Sequence, residues 1–222
     1  MAEKKYTPMM QHYLKMKEEN PESILFYRLG DFYEMFFEDA KLVSQELDLV
    51  LTGRSAGVEE KVPMCGIPFH AANSYIQRLV KKGYKVAICE QLEDPSSAKG
   101  LVDRGIIKII TPGTYMDATM DAKSTNYMAS CDVSSFEITV IYCELSTGEL
   151  KYQTLQRSLV ALQKALLEQN VSELVCPMTM DKKWMAALEE MDTMLISKHK
   201  KANIDPEDLP LLNGIESESL KE

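Results

Sequence analysis

Short apolar runs alternate with amphipathic segments along most of the sequence, and this alternation restricts the fold more than any other feature. Apolar runs that end at Gly, Pro or Asp predict buried strands, whereas apolar residues repeating every three to four positions predict helices. Strands that alternate with helices build a parallel or mixed sheet. In the first part of the chain we predict helices over 8–20, 32–47 and 72–82, strands over 23–29, 48–52, 84–92 and 106–111, and an exposed loop and a rigid two-proline stretch over 53–69.

A different pattern begins after residues 112–124, a stretch with no steady hydrophobic period. Three strand-like runs come first and helices alternate with strands after them, which is the order of a ribonuclease-H-like α/β fold. We therefore expect a mixed-sheet α/β domain over 1–114, a linker over 115–124, and a ribonuclease-H-like domain over 125–222. The chain turns polar after Ser197, so the second domain is expected to be incomplete at its C-terminal end. Its predicted elements are strands over 127–133, 136–145, 149–155, 173–176 and 194–197 and helices over 158–168 and 180–191.

Charge is distributed unevenly between these two parts. The formal net charge of the chain is −9. Residues 1–115 contain 15 Lys and Arg against 16 Asp and Glu, whereas residues 116–222 contain 10 against 18. Within the first part, the segment 78–108 holds seven basic residues against four acidic ones. Because nucleic acids attract basic surfaces, only the first half can offer a surface to DNA, and the electrostatic attraction is expected to be weak.

Cysteine usage and the N-terminal residues bear on the compartment. The five cysteines are scattered singly and form no C-x-x-C pair. The first residues are charged and no signal peptide is visible, and no apolar run reaches the length of a membrane span. Dispersed thiols without an export signal are typical of a reduced, cytosolic protein. We expect a cytoplasmic chain with no membrane partner.

Sequence patterns for catalysis and nucleotide binding are incomplete. No Gly is followed by Lys, so the Walker-type phosphate loop is absent, and there is no G-x-G-x-x-G. Cys65 and His70 lie five positions apart, without a third group that would complete a nucleophilic or zinc site. Asp132 and Glu144 are only two of the three or four converging carboxylates that a two-metal nuclease needs. We expect no catalytic residue, no metal site and no cofactor in this chain.

The most unusual stretch contains four aromatic residues in six positions, from Phe32 to Phe37. On a helix these rings form i,i+4 pairs, which indicates a thick core face. Phe32, however, directly follows Gly30-Asp31, where a side chain often projects free of the core. In extended chain Phe32 and Glu34 point the same way, and an exposed ring beside a carboxylate suits stacking on a base with a hydrogen bond to a base edge. Residues and spacing alone leave both interpretations open.

The sequence resembles the bacterial MutS family of DNA mismatch-repair proteins from Thr7 onward. The resemblance in the second half is weaker, through L-S-T-G-E at 145–149 and the order of the strands. In the first half it is specific, because six short segments occur in family order. These segments are T-P-M-M-Q at 7–11, F-Y-R-L-G-D-F-Y-E at 26–34, P-M-C-G-I-P-F-H at 63–70, V-A-I-C-E-Q at 86–91, D-P-S-S-A-K-G at 94–100 and I-I-T-P-G-T at 109–114.

The resemblance implies a role for several residues. Phe32 is expected to be the minor-groove wedge that stacks on a mispaired base, with Glu34 as its hydrogen-bonding companion. By the same similarity, Arg54 and Arg104 are candidates for contacts to the DNA backbone, and Met64 is expected near the groove. Wedges of this kind unstack a base step and kink the duplex, which is easier at a mismatch.

The resemblance also limits what this chain can do. MutS proteins are several times longer and carry an ATPase, so ATP and Mg are expected only in the full-length protein, as is its homodimer. We expect the N-terminal mismatch-recognition domain followed by the connector domain, acting non-catalytically on double-stranded DNA with mismatches or small loops in the bacterial cytoplasm, near the nucleoid. The alternative is an interaction module whose connector binds a MutL-type partner, with little DNA binding by the chain itself.

Overall fold

A computed structural model describes residues 6–93, 102–116 and 126–199. Contacts within the chain divide it into two compact units, Met1–Thr111 and Pro112–Glu222. Most of the predicted linker and the predicted incomplete end lie outside the described residues, as does Lys99 of the basic segment. Both units are α/β, each with a mixed sheet, which confirms the predicted fold class.

Unit 1 is a six-stranded sheet of order β3-β4-β2-β1-β5-β6, and helices α1, α2 and α3 pack on it. Of the strand pairs in this sheet only β1 and β5 are parallel, so the sheet is mixed, as predicted. The elements are α1 (Pro8–Glu19), β1 (Ser23–Leu29), β2 (Phe32–Phe36), α2 (Phe37–Leu47), β3 (Thr52–Arg54), β4 (Val62–Pro68), α3 (Ala72–Lys81), β5 (Lys85–Gln91) and β6 (Arg104–Ile110).

The aromatic run is not one helix, so the prediction of a helix over 32–47 is wrong in its first five residues. Residues 32–36 form strand β2, which pairs with β1 through a two-residue turn at Gly30-Asp31. Gly30 has φ +57°, a conformation that glycine adopts without a Cβ clash. The helix begins only at Phe37, whose φ of +54° turns the chain out of the strand.

Two neighbouring predictions also need correction. The predicted strand over 48–52 is wrong in its first four residues, because Asp48 caps α2 in the left-handed conformation and β3 begins at Thr52. The two-proline stretch is strand β4, paired between β2 and β3. Its prolines lie at the second and last positions of the strand, where the loss of an N–H interrupts the ladder least. The predicted start of α1 is confirmed, since the Thr7 hydroxyl accepts from Met10 N–H and Pro8 opens the helix.

Side chains complete the sheet where β2 leaves it. β1 pairs with β2 through Tyr27, Arg28 and Leu29. The N–H of Leu25 therefore has no partner on β2. The buried Asp39 of α2 accepts that N–H at 2.9 Å and also the ammonium of Lys17 at 2.8 Å. The Tyr13 hydroxyl lies 3.2 Å from the N–H of Phe36, which donates to it, and donates in turn to the carbonyl of the same residue at 3.3 Å. Side chains thereby satisfy backbone groups that β1 and β2 do not pair with each other.

Unit 2 is a five-stranded sheet of order β11-β10-β7-β8-β9. Strands β7, β8 and β9 form an antiparallel meander, and β10 and β11 add in parallel on the other side of β7. This order confirms the predicted ribonuclease-H-like arrangement. The buried residues of α4 and α5 pack with alternate residues of β7, β8 and β10. The elements are β7 (Tyr127–Val133), β8 (Glu137–Glu144), β9 (Glu149–Gln156), α4 (Leu159–Glu168), β10 (Val171–Pro177), α5 (Lys182–Glu189) and β11 (Leu195–His199).

The Asp39 network should account for a large part of the stability of unit 1. We expect Asp39→Ala to lower its free energy of unfolding by about 2–4 kcal/mol, because a buried N–H and an ammonium lose their acceptor. Glu38→Ala is the matched control, since Glu38 lies in the same first helical turn but is exposed and pairs with Lys41 on the helix surface. The control should cost no more than about 0.5 kcal/mol. Urea unfolding followed by the amide NMR signals of unit 1 measures both, and equal losses would contradict the role of the network.

Candidate nucleic-acid interface

Strand β2 presents Phe32, Glu34 and Phe36 on one face of the sheet, because side chains alternate along a strand. Phe36 is anchored at the inner end, with 1% of its surface exposed and its ring 4.9 Å edge-on from Tyr13. Phe32 lies at the outer end with 48% of its surface exposed. The ring expected to be a wedge therefore stands at the tip of a hairpin, on a strand whose other end is fixed in the core.

Glu34 lies between these two rings and is paired with Arg54. Its carboxylate accepts from the Arg54 guanidinium, and the Glu34 side chain is 16% exposed. The guanidinium of Arg54 is also 5.9 Å from the centroid of the Phe36 ring. Gly66 is the β4 residue opposite Glu34, and a Cβ there would lie 3.5 Å from Glu34 Cγ, an ordinary van der Waals distance. Strand pairing thus assembles an Arg–Glu ion pair beside the exposed ring.

Met64 belongs to the same face. It is paired with Phe36 on one side and with Thr52 on the other, and Arg54 follows Thr52 at the next position on that face. Met64 is partly buried and packs against the core below α1. Of the residues predicted from the resemblance, Phe32, Glu34, Arg54 and Met64 are therefore brought together on three neighbouring strands.

Arg104, the other arginine predicted from the resemblance, is in a different environment from this group. It is 7% exposed, and its guanidinium donates to the carbonyls of Arg28 at 2.9 Å and Val102 at 2.7 Å. It lies 5.3 Å from the centroid of the Tyr27 ring. Burial raises the pKa of Tyr27 to about 12, although Arg104 opposes the shift, and burial together with Arg104 lowers the pKa of His12. Arg104 ties β6 to β1 in this structure.

A second cluster, missed by the sequence analysis, lies on the opposite face of the same hairpin. The Arg28 guanidinium carbon is 3.6 Å from the centroid of the Phe69 ring, and Arg28 is paired with Glu90. The Tyr33 hydroxyl donates to the same carboxylate oxygen of Glu90. Burial, together with this hydrogen bond, raises the pKa of Tyr33 to about 12. Phe69 is 40% exposed, and only the β2–β4 register, which is non-local in sequence, brings it next to the turn.

The groups considered for catalysis do not converge. Cys65 is buried and donates to the Ala40 carbonyl, and burial raises its pKa to about 12, whereas His70 is exposed. Asp132 and Glu144 lie five positions apart along the β7–β8 pair, roughly 17 Å at about 3.4 Å per residue. Among the described residues no three His, Cys, Asp or Glu side chains are grouped to hold a metal ion. In that same part of the chain, no helix has both the length and the apolar character to cross a membrane.

Comparison with known proteins gives the family. Residues 7–119 match the family model of MutS domain I. The chain belongs to the MutS family. The DNA mismatch repair protein MutS of Clostridium tetani is 46% identical over 221 residues, and that of Clostridium botulinum strain Loch Maree is 53% identical over 177 residues. These alignments cover 98% and 75% of this chain.

The same comparison sets the scope of the chain. It spans 25% of the length of the Clostridium tetani protein and 19% of the Clostridium botulinum protein. Unit 1 corresponds to MutS domain I, and the longer alignment also includes unit 2.

Phe32 and Phe36 provide a test of the interface that needs no ligand, because they are the same residue type on the same face of one strand. We expect Phe36→Ala to cost about 3–5 kcal/mol of unfolding free energy, the range for a buried aromatic ring. Phe32→Ala should cost less than about 1 kcal/mol, since half of its ring is already in water. Urea unfolding of unit 1 measures both. A loss on Phe32→Ala as large as that on Phe36→Ala would show that Phe32 is a core residue.

Proposed function

We propose that unit 1 recognises mismatched or looped base pairs in double-stranded DNA by inserting Phe32 into the minor groove. The observation that carries this proposal is the half-exposed Phe32 ring at the tip of a hairpin, beside the Glu34 carboxylate on the same face of β2. A large apolar side chain that is half exposed at a fixed tip contributes less to the core than a buried ring does. It suits insertion between stacked bases.

The energetics favour a damaged or mispaired step. A wedge pays a few kcal/mol to unstack a base step, and the cost is lowest where pairing is already disturbed. A rigid ring on a strand anchored by Phe36 loses little freedom on insertion, so more of its stacking energy remains to offset that cost. Discrimination would therefore come mainly from the deformability of the DNA.

Glu34 and Arg54 would exchange partners on binding. In the free chain the Arg54 guanidinium neutralises the carboxylate, and its side chain is 35% exposed. At a deformed site a displaced base edge can donate a hydrogen bond to Glu34, and the released guanidinium can then contact a phosphate. On a matched duplex no base edge is displaced, so the ion pair stays closed. Arg54 is our candidate for a backbone contact, Met64 would line the groove beside it, and Arg104 is not proposed because of its burial.

Unit 2 and the longer protein complete the proposal. We infer that this chain is the N-terminal part of a cytoplasmic mismatch-repair ATPase, with ATP and Mg bound outside it and dimerisation in the full-length protein. The support is the alignment that spans both units of this chain and a quarter of the Clostridium tetani protein. Unit 2 would then be the connector and would bind a MutL-type partner.

The wedge is tested by removing it. Phe32→Ala should abolish the difference in affinity between a duplex with one mismatch and the matched duplex, because deformation no longer gains a stacking contact. Titration of this chain at low salt into duplexes with 2-aminopurine beside the mismatch reports both binding and unstacking. Phe136→Ala is the control, since Phe136 is 90% exposed in unit 2. Mismatch preference that survives Phe32→Ala, or is absent from the unaltered chain, would count against the proposal.

The carboxylate is tested separately. Glu34→Gln should strengthen binding to matched duplex more than to mismatched duplex, because it frees Arg54 for a phosphate contact on matched DNA, where the ion pair would otherwise stay closed. The ratio of the two affinities should therefore fall. Glu38→Gln makes the same charge change at an exposed position on α2 and should leave the ratio unchanged. Equal strengthening of both duplexes by Glu34→Gln would rule out a discriminating role.

A further inference from the structure

The turn that carries Phe32 is held by donors from outside the turn. The Nε–H of Arg28 donates to the carbonyl of Gly30 at 2.5 Å. The N–H of Phe69 donates to the carbonyl of Asp31 at 2.9 Å. Both central carbonyls of a surface hairpin, which ordinarily face water, thus have fixed protein partners.

Arg28 is itself held on several sides. The Phe69 ring covers its guanidinium at 3.6 Å, and the Glu90 carboxylate lies 3.4 Å from Nη1. Tyr33 contributes a second aromatic ring at 5.6 Å and donates its hydroxyl to Glu90. A planar guanidinium suits this combination of stacking, ion pairing and a directed hydrogen bond, and an ammonium does not reproduce it.

Arg28 does not lie on the face of Phe32. It is the strand partner of Tyr33, and both side chains are on the opposite face of the hairpin. Any effect of Arg28 on Phe32 must therefore pass through the backbone of the turn, which joins Arg28 and Leu29 to Phe32 through Gly30 and Asp31.

We propose that Arg28, with Phe69, is a positioning residue that holds the Gly30-Asp31 turn rigid and so pre-orients Phe32 for insertion. This inference rests on the proposed function. Positioning matters because a functional side chain must be held close to its productive geometry by neighbours that are themselves fixed. A mobile turn would lose its freedom on insertion, and this cost would be subtracted from the preference for a mismatch.

The test compares Arg28→Gln with Arg28→Lys and with Lys85→Gln, first without DNA. Lys85 is a matched control because its side chain lies in the same sheet, is 15% exposed against 16% for Arg28, and is ion-paired with Glu22. In Arg28→Gln the amide hydrogen of Phe69 should exchange about five- to tenfold faster, as expected when one ordinary hydrogen bond at the turn is lost. The amide of Phe36, at the anchored end of β2, should keep its protection. Lys85→Gln should change neither amide.

The second measurement is the ratio of affinities for mismatched and matched duplex. Arg28→Gln should lower it at least about threefold, through the ordering cost of the turn. Arg28→Lys should not restore it, although it keeps the charge beside Glu90. If Arg28→Gln does not fold, Phe69→Leu removes the stacked ring, keeps the Phe69 N–H position, and should change both measurements in the same direction.

The outcomes separate this inference from the proposed function. Unchanged Phe69 exchange in Arg28→Gln overturns the inference whatever DNA binding shows. Arg28→Gln could speed Phe69 exchange and leave the affinity ratio unchanged, while Phe32→Ala abolishes mismatch preference. That result overturns the positioning role and leaves the wedge intact. Loss of mismatch preference in Arg28→Gln but not in Arg28→Lys would assign the effect to charge and also overturns the inference. A Phe32→Ala variant that retains mismatch preference refutes the wedge itself.

Discussion

The interface depends on the two-residue period of β2 and on one buried ring within it. Phe36 fixes which face of the strand points to α1, because it is in the core and its N–H and carbonyl both bind the Tyr13 hydroxyl. A slip of one residue would place Tyr33 and Met35 on that face and move Phe32 and Glu34 to the other. The pairing of β2 with β1 and β4 excludes such a slip. Burial of Phe36 therefore determines the face of β2 on which Phe32 is exposed.

The order of elements followed from the sequence, and the nature of the aromatic run did not. In unit 2 the alternating pattern of β8 and the capped starts of α4 and α5 are local signals, and all the predicted elements occur. In unit 1 the rings at 32, 33, 36 and 37 satisfy helical spacing as well as strand alternation. What decides between them is the turn at Gly30 and pairing with β4, which lies about thirty residues away along the chain. The hydrophobic periodicity of a segment does not show which distant strand it pairs with.

The same limit explains the outcome for individual site residues. Phe32 and Glu34 share a face whichever extended geometry they adopt, so their proximity was predictable. The partners of the two arginines were not. Arg54 meets Glu34 only because β3 and β2 both pair with β4, and Arg104 is buried only because β6 pairs with β5 beside β1. A charge in the sequence shows neither its burial nor its partner. Arg28 and Phe69 lay within the segments that carry the family resemblance, yet their stacking appears only in three dimensions.

Internal pairing of charge also bears on how a mismatch reader can be selective. In the described part of unit 1, Arg28, Arg54 and Lys17 are all paired with carboxylates of the same unit. Cations held in this way offer little to phosphate, and phosphate attraction is the part of DNA affinity that is the same for every sequence. A protein that must ignore matched DNA, present in great excess, gains nothing from strengthening that part. If Phe32 is the wedge, the neutral surface around it raises selectivity by leaving the stacking of its ring on a base as the dominant favourable contact. Absolute affinity would then have to come from the rest of the longer protein, and discrimination from this hairpin.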